Sequence, residues 1–323
     1  MKRYDIVALG ECLIDFTPAG VSPAGMLMFE RNPGGAPANM LVGAANLGRK
    51  VAFIGKVGTD MQGEFLYQTI HDAGVDTSSM IMSDDYFTTL AFVTIDERGE
   101  RSFAFARKPG ADTQLTEAEL DMEMVRGAGI FHMGSLSMTD EPARSATLAA
   151  TIAAKEAGAM ISYDPNYRPL LWATPEAARE QIHVLLPYAD MIKISDDECE
   201  ITTGYADPHE AAEYLKAQGV SCVVITMGAD GACIFTKQGE RKVNGYKPAA
   251  VVDTTGAGDS FWGAFLTCVS ESGKHIKDLT LDELCNYGDF ACAAASLAVE
   301  KRGAIPAMPG RSSVDERCKQ RFF

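Results

Sequence analysis

The sequence predicts an α/β fold with three layers, in which helices cover both faces of a mostly parallel central sheet and a small β-sheet lid is added. Short β-branched apolar runs alternate with longer segments of helical pattern along most of the chain, as in parallel strands joined by crossover helices. Two early segments break this alternation and lack helical periodicity. The 323 residues, 46% of them hydrophobic and 23% charged, show no repeat or linker, so we read residues 1–323 as one domain.

The predicted strands of the central sheet are separated by helical segments. In chain order, the strand-like runs are DIVALG, VAFIGKVG, GIFHMGS, MISYDPN, MIKIS and CVVITMG. The helical segments between them include residues 60–74, 140–158 and 175–187. Ligands of such sheets bind at the carboxyl ends of the strands, so we expect the functional site at that edge.

The two segments that break the alternation predict the lid. TTLAFVTIDERGERSFAFAR, residues 88–107, contains two strand-like runs around a polar ERGE turn, which is the pattern of a hairpin. Residues 12–33 contain three prolines and no helical periodicity. We therefore predict a lid formed by segments of about 12–34 and 86–110. Its apolar residues Met26, Met28 and Phe29 fit either a dimer contact or a wall of the ligand pocket.

Charge and cysteine content exclude several classes of function. The net charge of -15 and the pI near 4.8 argue against DNA, RNA or anionic lipid as partners, which require an excess of basic residues. The eight cysteines form no C-x-x-C pair, so neither a zinc site nor a disulfide framework is expected. The N-terminal apolar run is broken by acidic residues, and no uncharged stretch is long enough to span a membrane. We expect a cytoplasmic protein.

VVDTTGAGDSF, residues 251–261, is the most informative stretch. We predict a strand that ends at VV, then a turn, and then a helix that begins among small residues. This arrangement directs the backbone N–H groups of Gly256, Ala257 and Gly258 to one point at the positive end of a helix dipole. Small residues allow an anion to approach these amides closely. The stretch therefore predicts an anion site.

Asp259 stands inside this anion site, where a carboxylate would repel a bound phosphate. One interpretation is chemical: a carboxylate beside a transferring phosphoryl group accepts the proton of an attacking hydroxyl. The other is structural, because Asp is also among the best N-cap residues. Spacing leaves both open. No G-x-x-x-x-G-K-[ST] motif occurs, and no G-x-G-x-x-G motif follows a strand, so neither a P-loop nor a dinucleotide enzyme is expected.

Two motifs resemble the signatures of a known family. DTTGAGDSF is similar to the C-terminal signature of the ribokinase-like (PfkB-type) carbohydrate kinases, and NPGGAPANMLVGAANLG to their glycine-rich N-terminal signature. The resemblance extends over nearly the whole chain. GECLIDF, RKPGAD, DPNYR and KISDDE are most similar to the fructokinase group of the family. The resemblance implies ATP and Mg²⁺ as cofactors, K⁺ as a further ion, and a homodimer through the lid.

The resemblance also implies roles for individual residues. Asp259 would be the catalytic base, and the amides of residues 256–258 the anion hole for the γ-phosphate. The residues implied on the substrate side are Asp15, Gly34, Gly35, Asn39, Arg107, Asp164 and Arg168. Those implied on the nucleotide side are Asn166, Lys193, Ser195, Thr226, Gly228, Gly231 and Cys292.

Metal sites follow from the same resemblance. Glu198 would organise Mg²⁺ through water, because this ion keeps much of its hydration shell. Asp253 and Thr255, with backbone around Ala298 and Gly303, would form a K⁺ site. Three positions depart from the family pattern. They are Ser195 and Cys292, where many relatives have Asn, and Ala307, where relatives often offer a hydroxyl.

The function predicted from these residues is an ATP-dependent sugar kinase, most similar to fructokinases, that converts D-fructose to fructose 6-phosphate. A kinase for 2-keto-3-deoxygluconate, ribose or a nucleoside is the alternative within the family, and Arg107 with Arg31 would suit an acidic sugar. A non-catalytic sugar sensor is the alternative from another class. We interpret His132 as a packed or substrate-contacting residue. Asp196, Asp197 and Glu200 form an acidic cluster at a helix N-terminus.

Overall fold

The computed structural model describes residues 2–95 and 101–320, and over these residues it contains two β-sheets and ten α-helices. The strands are β1 Tyr4–Leu9, β2 Leu13–Val21, β3 Leu27–Gly34, β4 Val51–Gly58, β5 Asp76–Ser83, β6 Leu90–Ile95, β7 Arg101–Ala106, β8 Ala128–Gly134, β9 Met160–Asp164, β10 Met191–Ser195, β11 Cys222–Thr226, β12 Ala232–Thr236 and β13 Gly239–Val243. The helices are α1 Ala36–Asn46, α2 Met61–Asp72, α3 Met122–Arg126, α4 Ala143–Glu156, α5 Pro175–Leu185, α6 Cys199–Thr203, α7 Pro208–Ala217, α8 Ala257–Ser272, α9 Leu281–Ala298 and α10 Arg311–Lys319.

The central sheet has nine strands in the order β13-β12-β11-β10-β9-β8-β1-β4-β5. The seven neighbouring strands β11, β10, β9, β8, β1, β4 and β5 pair in parallel, and β12 and β13 add an antiparallel edge next to β11. Every residue of β4 is buried, as in a strand covered on both faces. The predicted mostly parallel α/β fold is confirmed.

Two hydrophobic clusters separate the three layers. On one face of the sheet, α1, α2, α8 and α9 contribute Met40, Leu66, Phe265 and Leu284 to one cluster. On the other face, α3 to α7 contribute residues such as Ala150 to a second cluster. Helices α1 and α8 pack against each other beneath the same strands, so their N-termini lie side by side at the carboxyl edge of the sheet.

The second sheet has four strands in the order β3-β2-β6-β7. Its strands come from the two segments that the sequence predicted as a lid, and β2 joins them by pairing antiparallel with β3 and parallel with β6. Stacked rings of Phe16 and Phe92, with centroids 5.2 Å apart, pack across that junction. The predicted ERGE turn falls on residues 97–100, outside the described residues.

The predicted strand at VV is wrong. Val251 and Val252 are 65% and 55% exposed and belong to neither sheet. The position beside β11 is already occupied by β12, which pairs antiparallel with it. Without a neighbouring strand, the segment is held by the Val252 amide, which donates to the Val299 carbonyl over 2.8 Å.

Candidate active site

A cavity of about 760 Å³ opens at the carboxyl ends of the central strands and extends beneath the four-stranded sheet. One wall is formed by β2, β6 and β7 of that sheet, and the opposite wall is the start of α8. The polar residues that line it are Glu11, Asp15, Thr17, Asn39, Asn166, Arg168, Lys193, Asp253, Thr254, Thr255, Asp259 and Arg302. The cavity therefore contains groups from both signature motifs.

The entrance of α8 requires glycine. Gly256 is the N-cap residue with φ of +77°, in the left-handed region that favours glycine. A Cβ at this position would lie 2.8 Å from the Cβ of Ala304, and one on Gly258 would lie 3.2 Å from Lys193 Nζ. Backbone amides and a lysine ammonium thus converge at the positive end of a 16-residue helix, which is an electrostatic setting for an anion.

Asp259 lies in the first turn of α8, facing the cavity. It is not the N-cap, because Gly256 occupies that position, and the part of the chain that the structure describes supplies no side-chain cap for α8. Its Oδ2 instead accepts a hydrogen bond of 2.8 Å from Asn39 Nδ2. Burial raises the pKa of Asp259, although Lys193 and Asn39 oppose the rise. The capping interpretation is therefore wrong.

A buried ion pair stands behind the anion site. Lys193 Nζ lies 2.6 Å from Asp164 Oδ2, and both side chains are buried. Burial alone would lower the pKa of Lys193, but the carboxylates of Asp164 and Glu198 outweigh it and raise that pKa. The ammonium group is therefore charged and fixed beside the start of α8.

The other side of the cavity offers acceptors for hydroxyl groups. Asn39 Oδ1 is buried and accepts no hydrogen bond from any described residue, while Asp15 projects from β2 into the cavity. Burial, with Asp259 and Asp253 nearby, raises the pKa of Asp15 to about 6, although Arg168 opposes the rise. A Cβ on Gly34 would lie 2.5 Å from Asp15 Oδ2, so only glycine leaves this carboxylate free to face a ligand.

Glu198 holds together the two strand ends beside the cavity. Its Oε1 accepts 2.6 Å from the Tyr167 amide, and its Oε2 accepts 2.8 Å from the Ser195 amide and 3.1 Å from the Ser195 hydroxyl. These bonds place Asn166 and Arg168, which line the cavity. A carboxylate has about four acceptor positions, so Glu198 also has capacity for a metal-bound water.

Asp253 joins the turn before α8 to the loop after α9. Its Oδ1 accepts hydrogen bonds from the amide and hydroxyl of Thr255, and its Oδ2 accepts 3.1 Å from the Gly303 amide. Ala307, the departure noted in the sequence, is buried nearby in the 3₁₀ turn Ile305–Ala307. Within residues 2–95 and 101–320, no group of three or more His, Cys, Asp and Glu side chains could hold a metal ion.

The structure does not bring Arg107 into the cavity. Its Nε and Nη2 contact Asp112 Oδ2 at 2.8 and 2.7 Å, and the guanidinium also donates to Thr139 and to the Leu136 carbonyl. The group is buried and its donors are used within the protein. Arg107 therefore connects the end of β7 to the loop after β8, and its predicted contact with substrate has no support in this geometry.

Five predicted nucleotide residues lie outside the cavity lining: Ser195, Thr226, Gly228, Gly231 and Cys292. Ser195 and Thr226 are paired at the carboxyl ends of β10 and β11, along the same sheet edge as the cavity. Gly228 and Gly231 have positive φ angles of 53° and 94° in the turn that follows. Cys292 is buried in α9, and burial raises the pKa of its thiol to about 12. Their predicted roles remain predictions.

Sequence reasoning missed two residues of this site. Glu11 is a buried carboxylate two residues after the end of β1, and it lines the same cavity as Asn39. Arg302 lines the cavity from the loop after α9, where its Nε lies 2.6 Å from Glu30 and its Nη2 donates 2.8 Å to the Pro18 carbonyl. A glutamate at the end of an apolar strand run was the available signal for Glu11. No local pattern distinguished Arg302.

With this fold and this site, the chain belongs to the pfkB family of carbohydrate kinases, whose model matches residues 3–311. Fructokinase-2 of Zea mays is 43% identical over 94% of this chain and 91% of its own length. Probable fructokinase-6, chloroplastic, of Arabidopsis thaliana is 42% identical over 96% of this chain and 81% of its own.

Solved structures are similar over the same extent. Fructokinase with bound ATP from Xylella fastidiosa superposes with a TM-score of 0.90 at 31% identity and covers both chains completely. Fructokinase from Vibrio cholerae O395, in its form with fructose, ADP and calcium ion, gives a TM-score of 0.88 at 31% identity and covers 97% of this chain and 99% of that one.

Among the helices described here, none is long and apolar enough to cross a membrane.

Proposed function

We propose that this chain is an ATP-dependent fructokinase, which transfers the γ-phosphoryl group of ATP to the C6 hydroxyl of D-fructose. The similarity to fructokinases over nearly the whole chain supports the reaction. The observation that carries the proposal is the hydrogen bond of 2.8 Å from Asn39 Nδ2 to Asp259 Oδ2, directly beside the α8 amides. One carboxylate thus touches both the hydroxyl-binding side and the anion-binding side of the cavity.

Asp259 is the general base of the proposed reaction. Fructose binds between Asp15, Asn39 and the turn at Gly34 and Gly35, with Asn39 Oδ1 as acceptor for one hydroxyl. The C6 hydroxyl then gives its proton to Asp259 as its oxygen attacks the phosphorus in line. The raised pKa of Asp259 brings the carboxylate closer to the operating pH and makes it a stronger base.

The amides of Gly256, Ala257 and Gly258 stabilise the charge on the transferred oxygens, because they are already oriented before the reaction begins. Lys193 adds a fixed positive charge beside them, and Arg168 reaches phosphate oxygens from the opposite side. Thr226, Gly228 and Gly231 extend this binding edge along the nucleotide. Closure of the four-stranded sheet as a lid excludes water from the phosphoryl group.

Mg²⁺ supplies charge neutralisation on the phosphates when it is bound. Glu198 fits an ion held through water, because its oxygens keep unused acceptor positions. Asp253 and Thr255, with carbonyl groups near Ala298 and Gly303, are the residues that we assign to K⁺. The exposed apolar residues Val21, Met26 and Leu27 of the lid are assigned to a homodimer contact.

The two arginines considered for an acidic sugar do not support such a substrate. Such a sugar would need a free cation opposite its carboxylate, and Arg107 and Arg31 were the residues considered for this role. Arg107 is paired with Asp112, and the guanidinium carbon of Arg31 lies 3.8 Å above the Phe65 ring. Both groups are thus engaged within the protein.

A substrate panel tests the proposed function. Purified protein is assayed for ADP release with fructose, ribose, 2-keto-3-deoxygluconate and adenosine, each with ATP, Mg²⁺ and K⁺, and the product is examined by phosphorus NMR. We expect the highest kcat/KM with fructose and a phosphate on C6. A kcat/KM for fructose a hundredfold below that of another substrate would show that the fructose assignment is wrong. Sugar binding without ADP release would instead indicate a sensor.

A further inference from the structure

Glu11 is a buried carboxylate to which the proposed reaction gives no role. It lies two residues after the end of β1 and is only 3% exposed. It lines the main cavity and also a smaller recess behind it, which Asp259, His132 and Asp164 share. A charged group with so little contact with water is costly to bury unless it is paired or hydrogen-bonded.

Glu11 caps helix α1 from outside the helix. The N-cap of α1 is Gly35, which has no side chain, and no acidic residue occupies the first turn. The Ala36 amide, one of the free donors at the helix start, donates to Glu11 Oε1 over 2.9 Å. The backbone is equally close: a Cβ on Gly10 would lie 2.6 Å from Pro37 Cγ, and one on Gly35 would collide with the Glu11 carbonyl oxygen. The start of α1 is therefore held against the end of β1.

The position of α1 determines the position of Asn39. This residue lies on the first turn of α1, where its Nδ2 donates to Asp259 and its Oδ1 remains an available acceptor. A shift of the helix start would move both atoms relative to α8. The same first turn of α1 thus makes both hydrogen bonds, from Ala36 to Glu11 and from Asn39 to Asp259.

We propose that Glu11 is a positioning residue for sugar binding: its carboxylate holds the first turn of α1 so that Asn39 presents Oδ1 to the sugar while Nδ2 holds Asp259. The proposal deepens the proposed function and rests on it. Glu11 acts through Asn39, so its loss should affect sugar affinity more than the nucleotide site. A negative charge serves this role better than a neutral acceptor because it faces the positive end of α1.

The ionisation of Glu11 provides a separate signature. Burial, with Asp112 nearby, raises the pKa of Glu11 to about 7, although the Ala36 amide and Arg107 oppose the rise. The titratable and charged groups that interact with Glu11 or line the same two cavities are Cys12, Asp15, Arg107, Asp112, His132, Asp164, Arg168, Lys193, Asp253, Asp259 and Arg302. Protonation below about pH 7 removes the charge at the start of α1, so sugar affinity should fall there.

The test compares Glu11→Gln, which keeps an acceptor oxygen, with Glu11→Ala, which keeps none. The matched control is Glu283→Gln, because Glu283 is also an acceptor at a helix start, in the capping box of α9 and outside the cavity lining. Steady-state kinetics with fructose and with ATP are measured between pH 5.5 and 8.5. Circular dichroism confirms that each variant is folded.

At pH 8 we expect Glu11→Ala to raise the KM for fructose about tenfold or more and to change the KM for ATP less than about twofold, because Asn39 lies on the sugar side of the cavity. In the wild type, kcat/KM for fructose should fall as the pH decreases through about 7. In Glu11→Gln that limb should move to lower pH, because only the protonation of Asp15 and Asp259, whose pKa values burial also raises, would then lower the rate. Glu283→Gln should follow the wild type in both respects.

Two results would overturn the inference. One is a wild-type KM for fructose in folded Glu11→Ala, and the other is an unchanged acid limb in Glu11→Gln. If Glu11→Ala does not fold, the pH profile of Glu11→Gln decides alone. Either failure leaves the proposed function standing as long as the wild type phosphorylates fructose. Absence of fructose turnover in the wild type would instead refute the proposed function itself.

Discussion

At the scale of single residues, Asp259 has an environment suited to a base. Replacing Asp259 by Asn keeps its size and its contact with Asn39 but removes the proton acceptor. We expect kcat to fall about 10²- to 10⁴-fold, with fructose and ATP affinities changed by less than about threefold in isothermal titration calorimetry. Asp197→Asn, an exposed residue of the acidic cluster, is the matched control. A kcat within a factor of three of the wild type would contradict the proposed role.

The pH dependence of Asp259 has a definite sign. Burial raises the pKa of this carboxyl. As the pH falls, Asp259 is therefore protonated, and lost as a base, at a higher pH than an ordinary aspartate. We therefore expect single-turnover kcat at saturating fructose and ATP to decrease as the pH falls, and to stay constant on the alkaline side of that pKa. A rapid-quench pH series measures this. An alkaline limb without an acid limb would contradict the expected sign.

The raised pKa of Glu11 also predicts a stability effect. The folded state binds the proton more tightly than the unfolded chain, so the contribution of Glu11 to stability is full below its unfolded pKa of 4.5 and is lost as the pH rises to about 7. Glu11→Gln should therefore increase the free energy of unfolding by about 1–3 kcal/mol at pH 8 and leave it nearly unchanged at pH 4. Urea denaturation at the two pH values measures this. Lower stability of the variant at pH 8 would contradict it.

Residue types and spacing could predict Asp259, Asn39 and Asp15, because short motifs in the sequence contain them: Asp15 lies in strand β2, and Asn39 and Asp259 lie in the first turns of helices α1 and α8. Their contacts could not be predicted in this way. The bond between Asn39 and Asp259 joins residues 220 positions apart, and the network of Arg107 depends on Asp112 and Thr139 from other loops. Glu11 was missed for the same reason, since its partner is a backbone amide of another element.

At the scale of elements, the entrance of α8 depends on the backbone of Gly256. Gly256→Ala places a Cβ in the left-handed region and 2.8 Å from Ala304. We expect a loss of about 1–2 kcal/mol in stability and a fall in kcat of at least about tenfold as the amides move. Gly273→Ala at the other end of α8 is the matched control, because its φ is +63° but no atom lies within 4 Å of the added Cβ.

The two variants separate backbone strain from displacement of the amides. Thermal unfolding and steady-state kinetics are measured for both. Gly273→Ala should lose a similar stability through its positive φ while retaining kcat. Equal losses of kcat in the two variants would show that strain alone explains the effect and that the position of the α8 amides is not critical.

At the scale of the whole molecule, alternating strand and helix patterns predicted the parallel sheet because each strand run is strongly β-branched and apolar. The strand order, the antiparallel pair β12 and β13 and the true nature of residues 251–252 depend on long-range pairing, which local pattern does not encode. The lid segments could be located by their lack of helical periodicity. The parallel pairing of β2 with β6, which joins those segments into one sheet, could not be predicted.

The exposed apolar surface of the lid predicts assembly. Met26 and Met28 are 67% and 42% exposed, and exposed apolar residues that form a patch mark contact sites. We expect a dimer in sedimentation analysis at micromolar concentration and a monomer for the double variant Met26→Lys/Met28→Lys. Tyr205→Lys, at an exposed aromatic residue outside the lid, should remain dimeric. A monomeric wild type would refute the proposed contact.

Arg302 couples the four-stranded sheet to the entrance of α8. It binds Glu30 and Pro18 in the four-stranded sheet, and the next residue, Gly303, is bonded to Asp253 before α8. A ligand that moves the four-stranded sheet toward the cavity therefore also stabilises the entrance of α8, where the phosphates of the other ligand would bind. Thermodynamic linkage then requires each ligand to increase the affinity for the other by the same factor. An exposed ion pair contributes about 0.2–1 kcal/mol, so this mutual reinforcement through Arg302 amounts to a few-fold at most.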